Sequence, residues 1–469
     1  MRRATGHSEL GEHRPRLRLN RAAVLSAAVF CALAITLGLL GAAGLLPPSG
    51  GHVANHPAVL DPIRVRPGVR TSPRTGAGPA GGLTPKQVTT AYEVTPLFAR
   101  GIDGAGQTIV IVDSFGSPTI SADLAHFDSY FGLPNPPSFT VLQPAGRVPQ
   151  FHSRNGNRVG WAQETTLDVE WAHVMAPGAS IVLVETPTSE NEGTTGFPQI
   201  VTAEQYVLRH KLGQVISQSF AATEQTFPPK SGYAALLALR GAYKLAARDH
   251  VTVLAASGDS GSTSDTYNMK SLYTTPAVSW PATDPLVTAV GGTQLDLRAN
   301  GSRRKPDVAW NDSGGGRSII FGRPSYQNGV RSVTGSHRGV PDISMDASCS
   351  SAVAIYGSFY SGGGQWTGIC GTSLATPLFA GIVALADQVA GHGKAHGLGL
   401  INPAIYRIAA MHDRGIVAIL KGNNTQRFEQ GGKEYTVPGF PAGPGYSLVT
   451  GVGTVDAEYF VPELAKLAG

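Results

Sequence analysis

Val251-Thr252-Val253-Leu254-Ala255-Ala256, followed at once by Ser257-Gly258-Asp259-Ser260-Gly261-Ser262, is the stretch that decides the fold. An apolar, β-branched run closing on a Gly/Ser/Asp turn describes a buried strand, and the amphipathic segment Tyr233 to Arg248 before it describes a helix. The alternation extends in both directions. Thr108 to Asp113, Ser180 to Glu185, Gln214 to Phe220 and Leu286 to Val290 are predicted strands. Ser121 to Phe131, Gln163 to His173 and Pro198 to Lys211 are predicted helices. Strand, helix, strand in this order predicts an α/β fold with a parallel central sheet and helices on both faces. In such folds functional groups gather at the carboxyl ends of strands, where Asp259 stands.

The chain has 469 residues, 42% hydrophobic and 15% charged, which allows a large core and excludes a disordered protein. Its 59 Gly and 33 Pro imply many turns and loops. The net charge of +5 is concentrated at the N-terminus: residues 1–21 hold six Arg against Glu9 and Glu12, and residues 22–83 hold four Arg against Asp61. The remainder is about two units negative. No Lys/Arg cluster falls on the folded part, so a nucleic-acid partner is not expected.

Ala22 to Leu46 is about 25 residues without a charge, enough to cross a bilayer as a helix, and the upstream Arg place the N-terminus in the cytoplasm. Leu45-Leu46-Pro47-Pro48 lacks a small-x-small cleavage site, which favours a retained anchor over a cleaved signal peptide. Either way the rest of the chain leaves the cytoplasm. The expected organisation is a basic segment 1–21, an anchor or signal 22–46, a Pro/Gly-rich tether 47–82, and one folded domain 83–469. Of the three Cys, Cys31 lies in the apolar span. Cys349 and Cys370 are either a bridge formed in an oxidising compartment or two unpaired thiols.

Three segments can carry chemistry. Gly371-Thr372-Ser373-Leu374-Ala375-Thr376-Pro377 leads into the apolar run Leu378 to Ala386, so Ser373 stands where a turn enters a buried helix. The helix end supplies free N–H groups and positive potential for an oxyanion, although a plain N-cap has the same appearance. Glu164-Thr165-Thr166-Leu167-Asp168 opens the next predicted helix, and carboxylates four apart share a face. Asp168 can then hold Glu164 as a base for the serine, and one pKa of the pair should rise; the alternative is a solvated acidic face. Asp259, if protonated, can donate to an oxyanion; the alternatives are an Asp-Ser-Gly turn, or Ser260 as the nucleophile of an all-β protease, which the strand-helix alternation opposes. No His-Glu-x-x-His metal motif occurs, and His173 is expected to be a packed helix residue.

Taken together, these segments resemble the sedolisins, relatives of the subtilisins in which Glu and Asp take the places of the triad His and Asp. The resemblance spans most of residues 84–455. It includes Val112-Asp113-Ser114-Phe115-Gly116, Phe131-Gly132-Leu133-Pro134, Ala176-Pro177-Gly178-Ala179, Thr288-Ala289-Val290-Gly291-Gly292-Thr293 and Trp310 to Ser318. It implies a subtilisin-like α/β fold and peptide-bond hydrolysis in acid through an acyl-enzyme, with a protein or peptide substrate. The implied roles are Ser373 as nucleophile, Glu164 as general base, Asp168 as the residue orienting it, and Asp259 as oxyanion acid. Asp113 stands where the family usually has a Glu, and Phe220 where a substrate-side Ser-x-Ser-Trp-Gly segment has its Trp.

Two departures stand out. The family's calcium site uses two Asp side chains and backbone carbonyls, but those positions are Ala418 and Ser447, leaving only carbonyls such as those of Ile419, Gly443 and Gly445. No cofactor is therefore expected. The large folded propeptide common in the family is also not recognisable ahead of the domain. The expected protein is a monomeric enzyme, membrane-anchored through its N-terminal segment or secreted; the rival expectation is an inactive relative that binds peptides or scaffolds an envelope complex.

Overall fold

The structure is a computed structural model that describes residues 78–469 except Gly232 and Lys394. The expectations for residues 1–21 and 22–46 lie outside the described residues, as does most of the expected tether. Its last residues form a turn at Pro79–Gly81, after which Leu83 bridges to Val353 in the body of the domain.

The central sheet is built in chain order from β1 (Thr108–Ser114), β2 (Phe139–Leu142), β3 (Ser180–Thr186), β4 (Val215–Gln218), β5 (Thr252–Ala256), β6 (Thr288–Gln294) and β7 (Ile343–Asp346). All are parallel, in the spatial order β7-β6-β5-β4-β1-β3-β2; Val308–Ala309 adds an antiparallel edge to β6. The helices that matter for the site are α1 (Ile120–Phe131), α2 (Gly156–Met175), α3 (Phe197–Arg209) and α4 (Thr372–Ala390). The strand order reverses at β1, with β4 on one side and β3 on the other, so the carboxyl ends of β1 and β4 border a crevice.

The strands are apolar on both faces because both faces are covered. Ile109 and Ile111 of β1 join a core with Leu167 and Trp171 of α2 and Leu378, Phe379 and Ile382 of α4. Val110 and Val112, pointing the other way, join a second core with Phe197, Ile200 and Val207 of α3. Each such side chain, fully buried, contributes about 1.5–3 kcal/mol. The expected helix Tyr233 to Arg248 is two helices, Ala234–Leu239 and Gly241–Arg248, because the helical run is broken at Arg240.

A correction concerns α2. It does not open at Glu164 but at Gly156, where the Asn155 side chain caps the Arg158 N–H. Gly156 and Gly160 are poor helix formers, which hid the first two turns from the sequence pattern; burial of the helix overrides that propensity. Glu164 and Asp168 therefore project from mid-helix into the interior.

α2 and α4 pack along each other. Gly381 of α4 makes this possible: a Cβ there would collide with Met175 Cβ and lie 3.2 Å from the Ala172 carbonyl oxygen of α2. Among the described residues, α4 is the one helix long and apolar enough to cross a membrane, and 83% of that apolar window is buried in the domain, so it is a core helix. Gly381→Leu should overpack this crossing and lower stability by about 1–3 kcal/mol or more. Urea unfolding is the check, and an unchanged midpoint would contradict so close an approach.

Candidate active site

Ser373 is the second residue of α4. The turn before it is pinned from two directions. Gly371, at φ +120° where a side chain is disfavoured, donates its N–H to the Ala347 carbonyl at 2.8 Å just past β7. Cys370 is disulfide-bonded to Cys349, with Cα atoms 4.9 Å apart, so the bridge alternative is the one realised. Pro377, one helical turn on, has no N–H to give the Ser373 carbonyl; the Ser219 hydroxyl, just beyond β4, approaches that oxygen at 3.5 Å instead.

The first orphan donors of α4 are taken by an acid from another loop. Asp259 Oδ1 accepts the Thr372 N–H at 2.7 Å and the Thr372 hydroxyl at 2.7 Å, and the same hydroxyl accepts the Gly258 N–H at 3.1 Å. The β5 turn and the start of α4 are thereby joined through one carboxyl group.

The Ser373 hydroxyl is hydrogen-bonded to the Glu164 carboxylate of α2, and Asp168 lies one turn further along the same face, beside the Ser219 hydroxyl. Asp113, at the end of β1, lies beside both acids of α2. The structure thus brings together all four predicted residues, Ser373, Glu164, Asp168 and Asp259, and adds Asp113. All are buried: Ser373 is 2% exposed, Glu164 1%, Asp259 3%, Asp168 and Asp113 0%.

Electrostatics at this site is dominated by desolvation. Among the described residues no ion pair involves Asp113, Glu164, Asp168 or Asp259. Burial pushes Glu164 and Asp168 well above the usual carboxylate range, with the Asp113 charge raising both further and Asp168 also raising Glu164. Burial raises Asp113 to about 7. It also raises Asp259 to about 7, outweighing the two Thr372 hydrogen bonds that favour its charged form. The acids of the pocket hold protons where exposed carboxyls would not.

Other candidates fall away or find other roles. His173 sits in the last turn of α2, buried, 2.7 Å from the Pro134 carbonyl and 3.3 Å from Asp128; burial lowers its pKa to about 4. Ser260 has a buried hydroxyl with no hydrogen-bond partner, hence no base beside it. Phe220 packs edge-on against Phe197 in the α3-side core. Two acids escaped the sequence reading: Glu190, buried near Asp113, and Glu192, which accepts the Thr223 N–H at 2.7 Å and the Thr226 hydroxyl at 2.9 Å. They lie in a polar loop after β3 whose composition carries no periodic signal.

At the positions of the family's calcium site, Ala418 offers no side-chain oxygen. The Ser447 hydroxyl is neutral and engaged with Thr450, at 2.9 Å to its hydroxyl and 3.2 Å to its N–H. This donor set does not fit a calcium ion, which requires several hard, preferably anionic oxygens.

With this fold and this pocket, the chain belongs to the subtilase family, whose family model matches residues 158–412. Its place there is with the sedolisins. It is 33% identical over 386 residues to kumamolisin of Bacillus sp. (strain MN-32), covering 79% of this chain and 61% of that protein. It is 29% identical over 350 residues to human tripeptidyl-peptidase 1, covering 71% and 56%. The chain thus spans about three fifths of the length of these curated relatives. A solved structure of Pseudomonas sedolisin, a serine-carboxyl proteinase complexed with two molecules of pseudo-iodotyrostatin, superposes with a TM-score of 0.63 at 25% identity, covering 83% of this chain and 98% of that one.

The raised acids set the sign of the pH dependence of stability. Asp113, Asp259, Asp128 and Glu192, all near 7 in the fold, keep protons that the unfolded chain releases near pH 4. Their contribution is complete below the unfolded pKa and is lost as pH rises through about 7. His173 acts oppositely between 4 and 6.5, but is one group against several. The urea midpoint should therefore be higher at mildly acidic than at mildly alkaline pH, and Asp113→Asn should flatten the difference; a midpoint that rises with pH would contradict the buried, unpaired acids.

Proposed function

We propose that this chain is a serine-carboxyl peptidase that hydrolyses peptide bonds in protein or peptide substrates at acidic pH, through an acyl-enzyme on Ser373. The observation that carries the reading is the hydrogen bond from the Ser373 hydroxyl to Glu164 in a pocket of buried acids, with Asp259 at the start of the same helix. In this mechanism Glu164 takes the serine proton as Ser373 Oγ attacks the substrate carbonyl carbon, then passes it to the departing amine. Water repeats the cycle on the ester. Asp168 holds Glu164 on its helix face and shares its protons, so the pair titrates as a unit. Asp259, kept protonated, donates to the oxyanion of each tetrahedral intermediate, which an ionised carboxylate would repel.

The pH requirement follows from opposite needs. The Glu164 and Asp168 unit must have lost a proton, while Asp259 must have kept its own. The alkaline limb is set by Asp259, whose pKa is near 7, so turnover fails as the pH rises through neutrality. The disulfide suits an extracytoplasmic location, membrane-attached or secreted.

Ser373→Ala should lower kcat by about 10⁶-fold and abolish labelling by a peptide aldehyde. Asp259→Asn should lower kcat by about 10²–10³-fold and remove the alkaline limb. A wild-type protein that neither cleaves a peptide library in acid nor reacts with the aldehyde would favour an inactive peptide-binding relative instead.

The same reading includes no tight calcium requirement, because the donor set lacks both carboxylates. Millimolar calcium, or a chelator, should leave the melting temperature almost unchanged; a large stabilisation by calcium would overturn this.

A further inference from the structure

The hairpin formed by Gln426–Gln430 and Lys433–Val437 lies far along the chain from every residue of the pocket, yet it and its base are bonded to the turn that carries Asp259. Asn424, at the hairpin's base, accepts the Ser262 N–H at 2.9 Å, and the Ser262 hydroxyl donates to the Val437 carbonyl at 2.9 Å. The Gln426 side-chain amide donates to the Asn311 carbonyl at 3.0 Å and to Asp312 Oδ1 at 2.8 Å. The Asp312 carbonyl in turn accepts the Gly261 N–H at 2.8 Å, two residues beyond Asp259.

The contact is close enough to dictate a residue type. Gly261 has φ +59°, and a Cβ there would meet the Gln426 amide, the Asn424 carbonyl and the Asn311 carbonyl together. From the other side the Gly314 N–H donates to the Gly258 carbonyl at 2.7 Å. The Asp259 turn is thus held between the Asn311–Gly314 segment and the hairpin, and two side chains tie these braces to each other: Asn424, whose amide donates to the Ser313 carbonyl at 3.0 Å, and Gln426, which holds the Asn311–Asp312 end.

We propose that Gln426 and Asp312 are positioning residues for the oxyanion acid: Gln426 fixes the Asn311–Asp312 turn, that turn fixes Gly261, and the carboxyl group of Asp259 is thereby aimed at the reacting carbonyl. The proposal rests on the assignment of Asp259 as oxyanion acid. Asp312 has a second effect through its charge. The groups facing Asp259 are Asp312, Glu164 of α2 and the amino end of α4, and the Asp312 charge helps keep Asp259 protonated. Gln426, by donating to Asp312, holds that charge in place.

Two variants separate geometry from charge. Gln426→Ala frees the Asn311–Asp312 turn while leaving the Asn424 tie to Ser313; kcat in acid should fall roughly ten- to hundredfold with KM within about twofold, since the misplaced group acts in the transition state. Asp312→Asn keeps an oxygen to accept the Gln426 amide but loses the charge. Its kcat at the pH optimum should stay near that of the wild type, while the alkaline limb moves to lower pH by about half a unit. A kcat for Gln426→Ala within about twofold of the wild type, or a loss shared equally by KM, overturns the positioning role. An unmoved alkaline limb in Asp312→Asn overturns the charge effect even if Gln426→Ala fails to fold. In both cases a wild type with Ser373-dependent turnover leaves the peptidase reading standing; a wild type with none overturns both.

Discussion

Two helices that approach closely enough for a carboxylate on one to meet a hydroxyl on the other are the constraint on which the rest of this structure depends. α2 and α4 belong to parts of the chain about two hundred residues apart, and only packing brings Glu164 to Ser373. Gly381 permits the approach, and the apolar faces of both helices, buried against Ile109 and Ile111, maintain it. The pocket's geometry is set by side chains that take no part in chemistry.

That packing carries an electrostatic cost, which decides the protonation of the pocket. Several forces act on Asp259: two hydrogen bonds and the amino end of a helix favour its charge, burial and the neighbouring Asp312 oppose it, and burial prevails. The same balance holds for Asp113, where the Thr165 hydroxyl is too weak a partner to offset desolvation. Carboxyl groups buried without cations beside them behave as proton stores. This is the property on which the proposed acid optimum rests.

Much of this was legible in the sequence. The five strands read from apolar runs all appear, with ends displaced by a few residues, because strands buried on both faces are continuous apolar segments. β2, with two of its four residues exposed, carried too little apolar signal to be read. The first two turns of α2 escaped because Gly156 and Gly160 argue locally against a helix, and only the tertiary contact overrules them. Within the pocket, residue types and short motifs pointed to Ser373, Glu164, Asp168 and Asp259. The roles of Thr372 as the partner of Asp259, and of Gln426 behind it, were not legible, since both depend on loops that meet only after folding. Neither could spacing choose between a bridge and two thiols for Cys349 and Cys370, because the hairpin that brings them together is itself a product of the fold.

The single oxygen of Asp259 that accepts both donors of Thr372 has a mechanical meaning. In the proposed mechanism, nucleophile and oxyanion acid are then not two parts tuned separately but opposite ends of one short linkage. Because one carboxylate oxygen bridges the two segments, the position of Asp259 is tied to the start of α4. A carbonyl group seated against one is already in register with the other.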